Sequence, residues 1–299
     1  MNKRFLALCI LSCSAVFISC KNEANNKEIE ETYATGTASI QVEESVVPVF
    51  DAINEVFMHT YDQAILNKVS NTENQIVNLL LQDSIKLAVL PRKLTVNELK
   101  HFEGKRVVSM TPFAKDAVIF ITQKSNNDSL IAVDKILDLL KNPNKSSENV
   151  FVFDNINSSL SQNFMKMAGI TEFGKNVYFA KDTKEVIEYT NKNNKAIGIV
   201  GINWLLQPDD EINKLKSNLK SLKVLNKEEK QYFSPTQSTI ADGTYPLTRD
   251  LYIIEAQGKT GLGKGFSNFA ASDIGQRIVL KSGLFPHKQP TREIIIKEN

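Results

Sequence analysis

The strongest constraint on this chain is a regular alternation of short apolar runs with longer amphipathic ones. Residues 38–42 form a strand candidate. Val46, Val49, Phe50, Ile53, Val56 and Phe57 follow at the three- and four-residue spacing of a helix face. Residues 64–69 predict a second strand, Ile76, Leu79 and Leu80 mark a second helix, and 85–90 predict a third strand. A second set lies further on, with helices at 131–140, 159–168 and 184–191 and strands at 149–153, 177–180 and 196–200. Strands separated by helices pair as parallel neighbours with the helices on their faces, so the fold class is α/β. Two β-rich runs, 116–122 and 250–255, stand outside this rhythm. They predict two crossing strands joining two lobes, lobe 1 from 36–115 plus 250–299 and lobe 2 from 116–249. A helix at 266–280 follows the second run.

The amino end is of another kind. Lys3 and Arg4 precede an apolar run, 5–18, that is short for a membrane span. The run ends in Phe17-Ile18-Ser19-Cys20 and turns polar at once. This resembles a bacterial lipoprotein signal, in which the cysteine is lipidated and the peptide is cut before it. Cys20 is then the lipid site, 1–19 the signal peptide and 20–35 a flexible tether. Cleavage at Cys13 is disfavoured, because it leaves Ala15-Val16-Phe17-Ile18 on the mature tail. The address implied is extracytoplasmic, at a membrane held through the lipid anchor alone.

Charge and composition then exclude several classes. Loss of Lys3 and Arg4 with the signal leaves basic and acidic residues balanced, where nucleic acid demands a basic footprint. All three cysteines lie within the first 20 residues, so the mature body has neither disulfide nor thiolate metal site. His59, His101 and His287 lack ligand spacing, and no metal or other cofactor is expected. Nothing asks for an oligomer, so a monomer is expected.

Several motifs carry chemistry. Gly258-Lys259-Thr260-Gly261-Leu262-Gly263-Lys264-Gly265 approaches a P-loop but has Gly265 where the magnesium-binding hydroxyl belongs, so it reads as a strand-to-helix turn. Ser158 and Ser159 open a helix; they are either caps or donors of an anion site, and Asp154 nearby is open to both uses. Arg92 ends the third strand, where ligands gather in open α/β sheets. Asp116 begins the first crossing strand and either meets a ligand or pairs with Lys115 or Arg249. Adjacent acids at Glu43-Glu44 and Asp209-Asp210 are not spaced for catalysis, and no Ser-His-Asp set is present, so an enzyme is not expected.

With these residues in hand, the chain resembles the phosphate-binding proteins of the phosphate ABC importer, in a lipoprotein branch. The resemblance runs over nearly all of 36–287. It is carried by Leu87-Ala88-Val89-Leu90-Pro91-Arg92-Lys93-Leu94, Ala114-Lys115-Asp116-Ala117-Val118-Ile119, Asp154-Asn155-Ile156-Asn157-Ser158-Ser159, Ala196-Ile197-Gly198-Ile199-Val200-Gly201 and Tyr245-Pro246-Leu247-Thr248-Arg249-Asp250-Leu251-Tyr252, and closes at Gly283-Leu284-Phe285-Pro286. It implies a type II periplasmic-binding fold that closes on its ligand by hinge motion. It also implies phosphate held by Ser158, Ser159 and Arg92, with Asp116 accepting the hydrogen of the protonated anion, for delivery to an ABC permease. The first phosphate loop departs from the family. Val42-Glu43-Glu44-Ser45 stands where small hydroxylic residues are usual, and only Ser45 fits. Leu160 likewise replaces a threonine. At a strand end at most one of Glu43 and Glu44 is expected to face inward, and an acid inside the cleft favours the alternative, a structural or interaction lipoprotein with a degenerate cleft.

Overall fold

The computed structural model describes residues 31–142, 148–258 and 260–291. Cys20, the signal and the first part of the tether lie outside the described residues. The strands are β1 (Gly36–Glu43), β2 (Ala64–Asn71), β3 (Leu87–Leu90), β4 (Ser109–Gln123), β5 (Leu130–Ile131), β6 (Val150–Phe153), β7 (Val177–Phe179), β8 (Ala196–Gly201), β9 (Leu219–Ser221), β10 (Lys223–Asn226), β11 (Gln231–Phe233), β12 (Thr248–Glu255) and β13 (Phe285–Pro286). The helices are α1 (Val47–Thr60), α2 (Glu73–Leu81), α3 (Val96–Lys100), α4 (Val133–Lys141), α5 (Ser159–Ala168), α6 (Thr183–Lys192), α7 (Asn203–Leu206), α8 (Asp210–Lys216), α9 (Gln237–Ala241), α10 (Leu262–Ala271) and α11 (Asp273–Lys281).

One large sheet runs in the order β2-β1-β3-β12-β4-β8-β6-β7. As the alternation predicts, β1 lies parallel to β2 and β3, and β6 parallel to β7 and β8. The antiparallel members are β4 and β12. The first part of β4 pairs with β12 and β13, and from Val118 onward it pairs with β8 and β9. β4 therefore passes from one half of the sheet to the other. The chain crosses back just before β12, where the Val118 N–H donates to the Leu247 carbonyl at 2.8 Å. Each half has its own aromatic packing. Phe57 meets Tyr61, Phe266 and Phe269 in one, and Phe153 meets Phe164, Phe173 and Phe179 in the other.

The structure corrects three expectations. The first crossing strand is longer than 116–122, beginning at Ser109. Pro112 hides its start, because proline cannot donate to a ladder. It is tolerated here beside a register shift opposite Leu251/Tyr252. The helix expected over 266–280 is two helices, broken at Ser272, whose hydroxyl accepts from the Gly275 N–H and starts α11. Finally, residues 31–35 are docked rather than tether. The Glu31 carboxylate accepts from the Leu262 N–H at 2.9 Å, at the start of α10. The Tyr33 carbonyl lies so close to Gly265 that a Cβ there would come within 1.8 Å of it. The near-P-loop thus offers its helix N–H to the chain's own Glu31.

Candidate functional site

At the inner end of β1, side chains of one half reach the other. β1 ends at Glu43, and Glu44–Val46 turn as a short 3-10 helix. Strand alternation stops there, so both acids reach across to the other half. Glu43 is fully buried. One of its oxygens accepts from the Ser45 N–H at 3.1 Å and from the Ser45 hydroxyl. The other accepts from the Ser159 N–H at 3.2 Å, at the first turn of α5. Glu44 accepts from the Thr183 N–H at 2.7 Å, at the first turn of α6. Its backbone carbonyl accepts from the Trp204 indole at 3.3 Å. The expectation that at most one acid faces inward is therefore corrected, and the 3-10 turn is the reason.

Asp116 lies behind this pair, fully buried. Of its two candidate partners it takes Arg249, whose Nε and Nη2 donate to Oδ2 at 3.0 and 2.7 Å. Lys115 pairs instead with Asp250 at 2.9 Å. Arg249 Nη1 continues to the Ser159 hydroxyl at 3.2 Å, and that hydroxyl lies 3.3 Å from the Ser45 hydroxyl. Asn203 donates to the Ser45 carbonyl at 2.8 Å. The Asp116 Oδ1 atom has no hydrogen-bond partner among the described residues.

The structure thus joins Ser45, Ser159 and Asp116 and separates the other two expected residues from them. Ser158 is the helix cap: its hydroxyl accepts from the Ser161 N–H at 3.2 Å and donates to Asp154. Arg92 lines an adjoining cavity of about 450 Å³ together with Ser159, Lys166 and Arg249. Its guanidinium is held by Glu73 at 2.7 Å and, through both terminal nitrogens, by Glu98 at 2.8 and 2.9 Å. The arginine at the cluster is Arg249. The sequence offers Arg249 only as a partner of Asp116 and Arg92 for the anion, because both arginines sit at strand ends, and only pairing of β12 with β4 sets Arg249 opposite Asp116.

Burial dominates the electrostatics. It pushes the Glu43 carboxyl above its ordinary range, against the opposing pull of Arg249 and the Ser45 hydrogen bonds. Asp116 is raised by burial as well, with Arg249 opposing. Asp154 is raised well above its usual value by burial and by the charges of Glu44 and Glu43. Burial takes Glu44 to about 7, with the Thr183 N–H opposing.

The Glu44 shift sets a pH dependence. A carboxyl that ionises near 4.5 unfolded and near 7 folded binds more protons when folded across that window. Stability from this group is greatest below the window and falls as pH rises through it, by up to about 3 kcal/mol. Thermal unfolding from about pH 5 to about pH 8 should show this decline, and Glu44→Gln should make it shallower, the rest coming from the other raised acids. An identical slope in the variant would remove Glu44 as its source.

A fold and cluster of this kind define a class. A PBP superfamily domain model matches residues 29–273, and the chain belongs to that superfamily. The architecture is that of the type II periplasmic-binding fold. Among individual relatives, the chain is 25% identical over 304 residues to the phosphate-binding protein PstS of Borreliella burgdorferi, covering 95% of this chain and 98% of that one. An ABC-transporter substrate-binding protein from Clostridium perfringens, solved with bound phosphate, superposes with a TM-score of 0.70 at 18% identity, over 85% of this chain and 100% of that one. An ABC-type phosphate transport receptor from Vibrio cholerae superposes with a TM-score of 0.62 at 16% identity, over 84% and 100%. Among the described residues no helix is long and apolar enough to cross a membrane, and no cluster of metal-ligating side chains is present.

Proposed function

We propose that this chain is an extracytoplasmic lipoprotein, anchored through Cys20, that binds phosphate or a related small oxyanion and delivers it to an ABC permease. In this reading the halves are lobes, 36–115 with 250–299 and 116–249, that close about β4 and β12. The observation that carries it is the convergence of Ser45 N–H, Ser45 hydroxyl and Ser159 N–H, from both halves, on one anionic group beside Arg249. Such donors, one of them at a helix N-terminus, suit an oxyanion. The unpartnered, buried Oδ1 of Asp116 suits an acceptor for the hydrogen of a protonated phosphate, a hydrogen that sulfate lacks. The phosphate-binding relatives support the ligand, and the polar break after Cys20 supports the anchor.

A second reading is favoured by Glu43, since the anionic group at the donors belongs to the chain. It holds that the cleft binds nothing and the protein acts through its surface. Calorimetric titration of the full chain with phosphate, with sulfate as competitor, separates the two. The first reading expects saturable phosphate binding below about a millimolar that sulfate does not reverse. Absence of such binding would leave the second.

A further inference from the structure

We propose that Glu43 is a resident ligand of this cleft: its carboxylate stands at the donors an external oxyanion would use, so the halves close on the chain's own anion and an inorganic oxyanion binds only by displacing it. The proposal deepens the binding reading and takes its anion site as given.

Donor counting carries the argument. The Ser45 N–H, the Ser45 hydroxyl proton and the Ser159 N–H are all given to Glu43. Arg249 divides its donors between Asp116 and the Ser159 hydroxyl. An incoming phosphate would therefore find the Ser45 and Ser159 protons already taken, and its charge would meet an enclosed carboxylate. Glu43 is positioned for the part by its backbone. The last residue of β1 projects at the first turn of α5, which lies 116 positions later in the chain. Two carboxylate oxygens reproduce one edge of a tetrahedral oxyanion. Glu44 repeats the arrangement at the first turn of α6, so two internal carboxylates take part in the contact between halves. A buried acid with both carboxylate oxygens engaged from the two sides of a cleft acts as a resident ligand.

Glu43→Ser removes the competing charge and returns a small hydroxylic residue to the loop. In the full chain it should bind inorganic phosphate about tenfold or more tightly than the unchanged protein, because a like charge at contact is gone. Hydrogen exchange gives a second readout. Without phosphate, the Ser159 amide should be protected in the unchanged protein and exchange quickly in Glu43→Ser, and phosphate should restore protection in the variant. Glu43→Gln keeps the side-chain volume and serves if the serine variant does not fold. Phosphate binding by the variant alone would uphold the proposal while defeating the transport reading. Equal affinity in both proteins would overturn the proposal and leave that reading standing. No phosphate binding by either, or failure of both variants to fold, would make Glu43 a structural residue and overturn the proposal.

Discussion

Replacing Arg249 with methionine should destabilise the protein by about 3–5 kcal/mol, the range for breaking a buried ion pair from one side. The side chains of Arg249 and Asp116 are 12% and 0% exposed, so water cannot take over the lost contacts. Arg249 is also the cation that opposes the burial penalty on Glu43, Asp116 and Asp154 together. Its removal leaves charges with no counter-ion, and they must then take up protons or hold the halves apart. Asp116→Asn added to Arg249→Met should recover much of the loss, since it removes the stranded charge. Urea unfolding of the single and double variants would measure this as a coupling energy. A loss below about 1 kcal/mol for Arg249→Met would mean that the pair is worth no more than a surface contact.

Gly201→Ala should cost about 1–3 kcal/mol and loosen the contact between the halves. A Cβ on Gly201 would lie 2.7 Å from Arg249 Nη2, 2.8 Å from Asn203 Nδ2 and 2.8 Å from the Ser45 carbonyl oxygen. Those three atoms belong to the network around Glu43, and one of them is backbone. The glycine is needed for space, at the place where β8, β12 and the turn after β1 come together. The methyl group forces either Arg249 off Asp116 or the Ser45 turn away from β8. Thermal unfolding reads the cost, and hydrogen exchange at Ser45 and Ser159 reads the loosening. A variant within about 0.5 kcal/mol of the parent with unchanged exchange would show that the network yields without loss.

The two variants probe one network from opposite sides, and its members differ in how visible they are in the chain. Asp116 is readable because it opens an apolar run, and its pairing with Arg249 is one of two alternatives, one adjacent in the chain and one 133 residues away. Choosing between them takes the antiparallel register of β12 on β4, which sets Arg249 opposite Asp116 and leaves Lys115 to Asp250. Ser158 and Ser159 are readable as a helix start. That the first is spent as a cap and the second faces Glu43 depends on the rotation of α5 against β1. Arg92 looked equally suited to an anion, but Glu73 and Glu98 engage it. Glu98 is six residues away in sequence, yet nothing local says that its side chain folds back.

The amino-acid sequence by itself determined the α/β layering, the positions of most strands and helices, and the cysteine placement that leaves the body without thiol chemistry. These follow from periodicity and composition, which are local properties of the chain. Only the tertiary structure decided which anion the cradle holds. Glu43 and Glu44 resemble any pair of adjacent solvated acids in sequence. Their meaning comes from amides in the first turns of helices 116 and 139 residues away. The same holds for Glu31 at the start of α10, 231 residues distant. Hydrogen-bond satisfaction is a property of the folded structure, and in this protein it turns three acids into internal ligands of three helix ends.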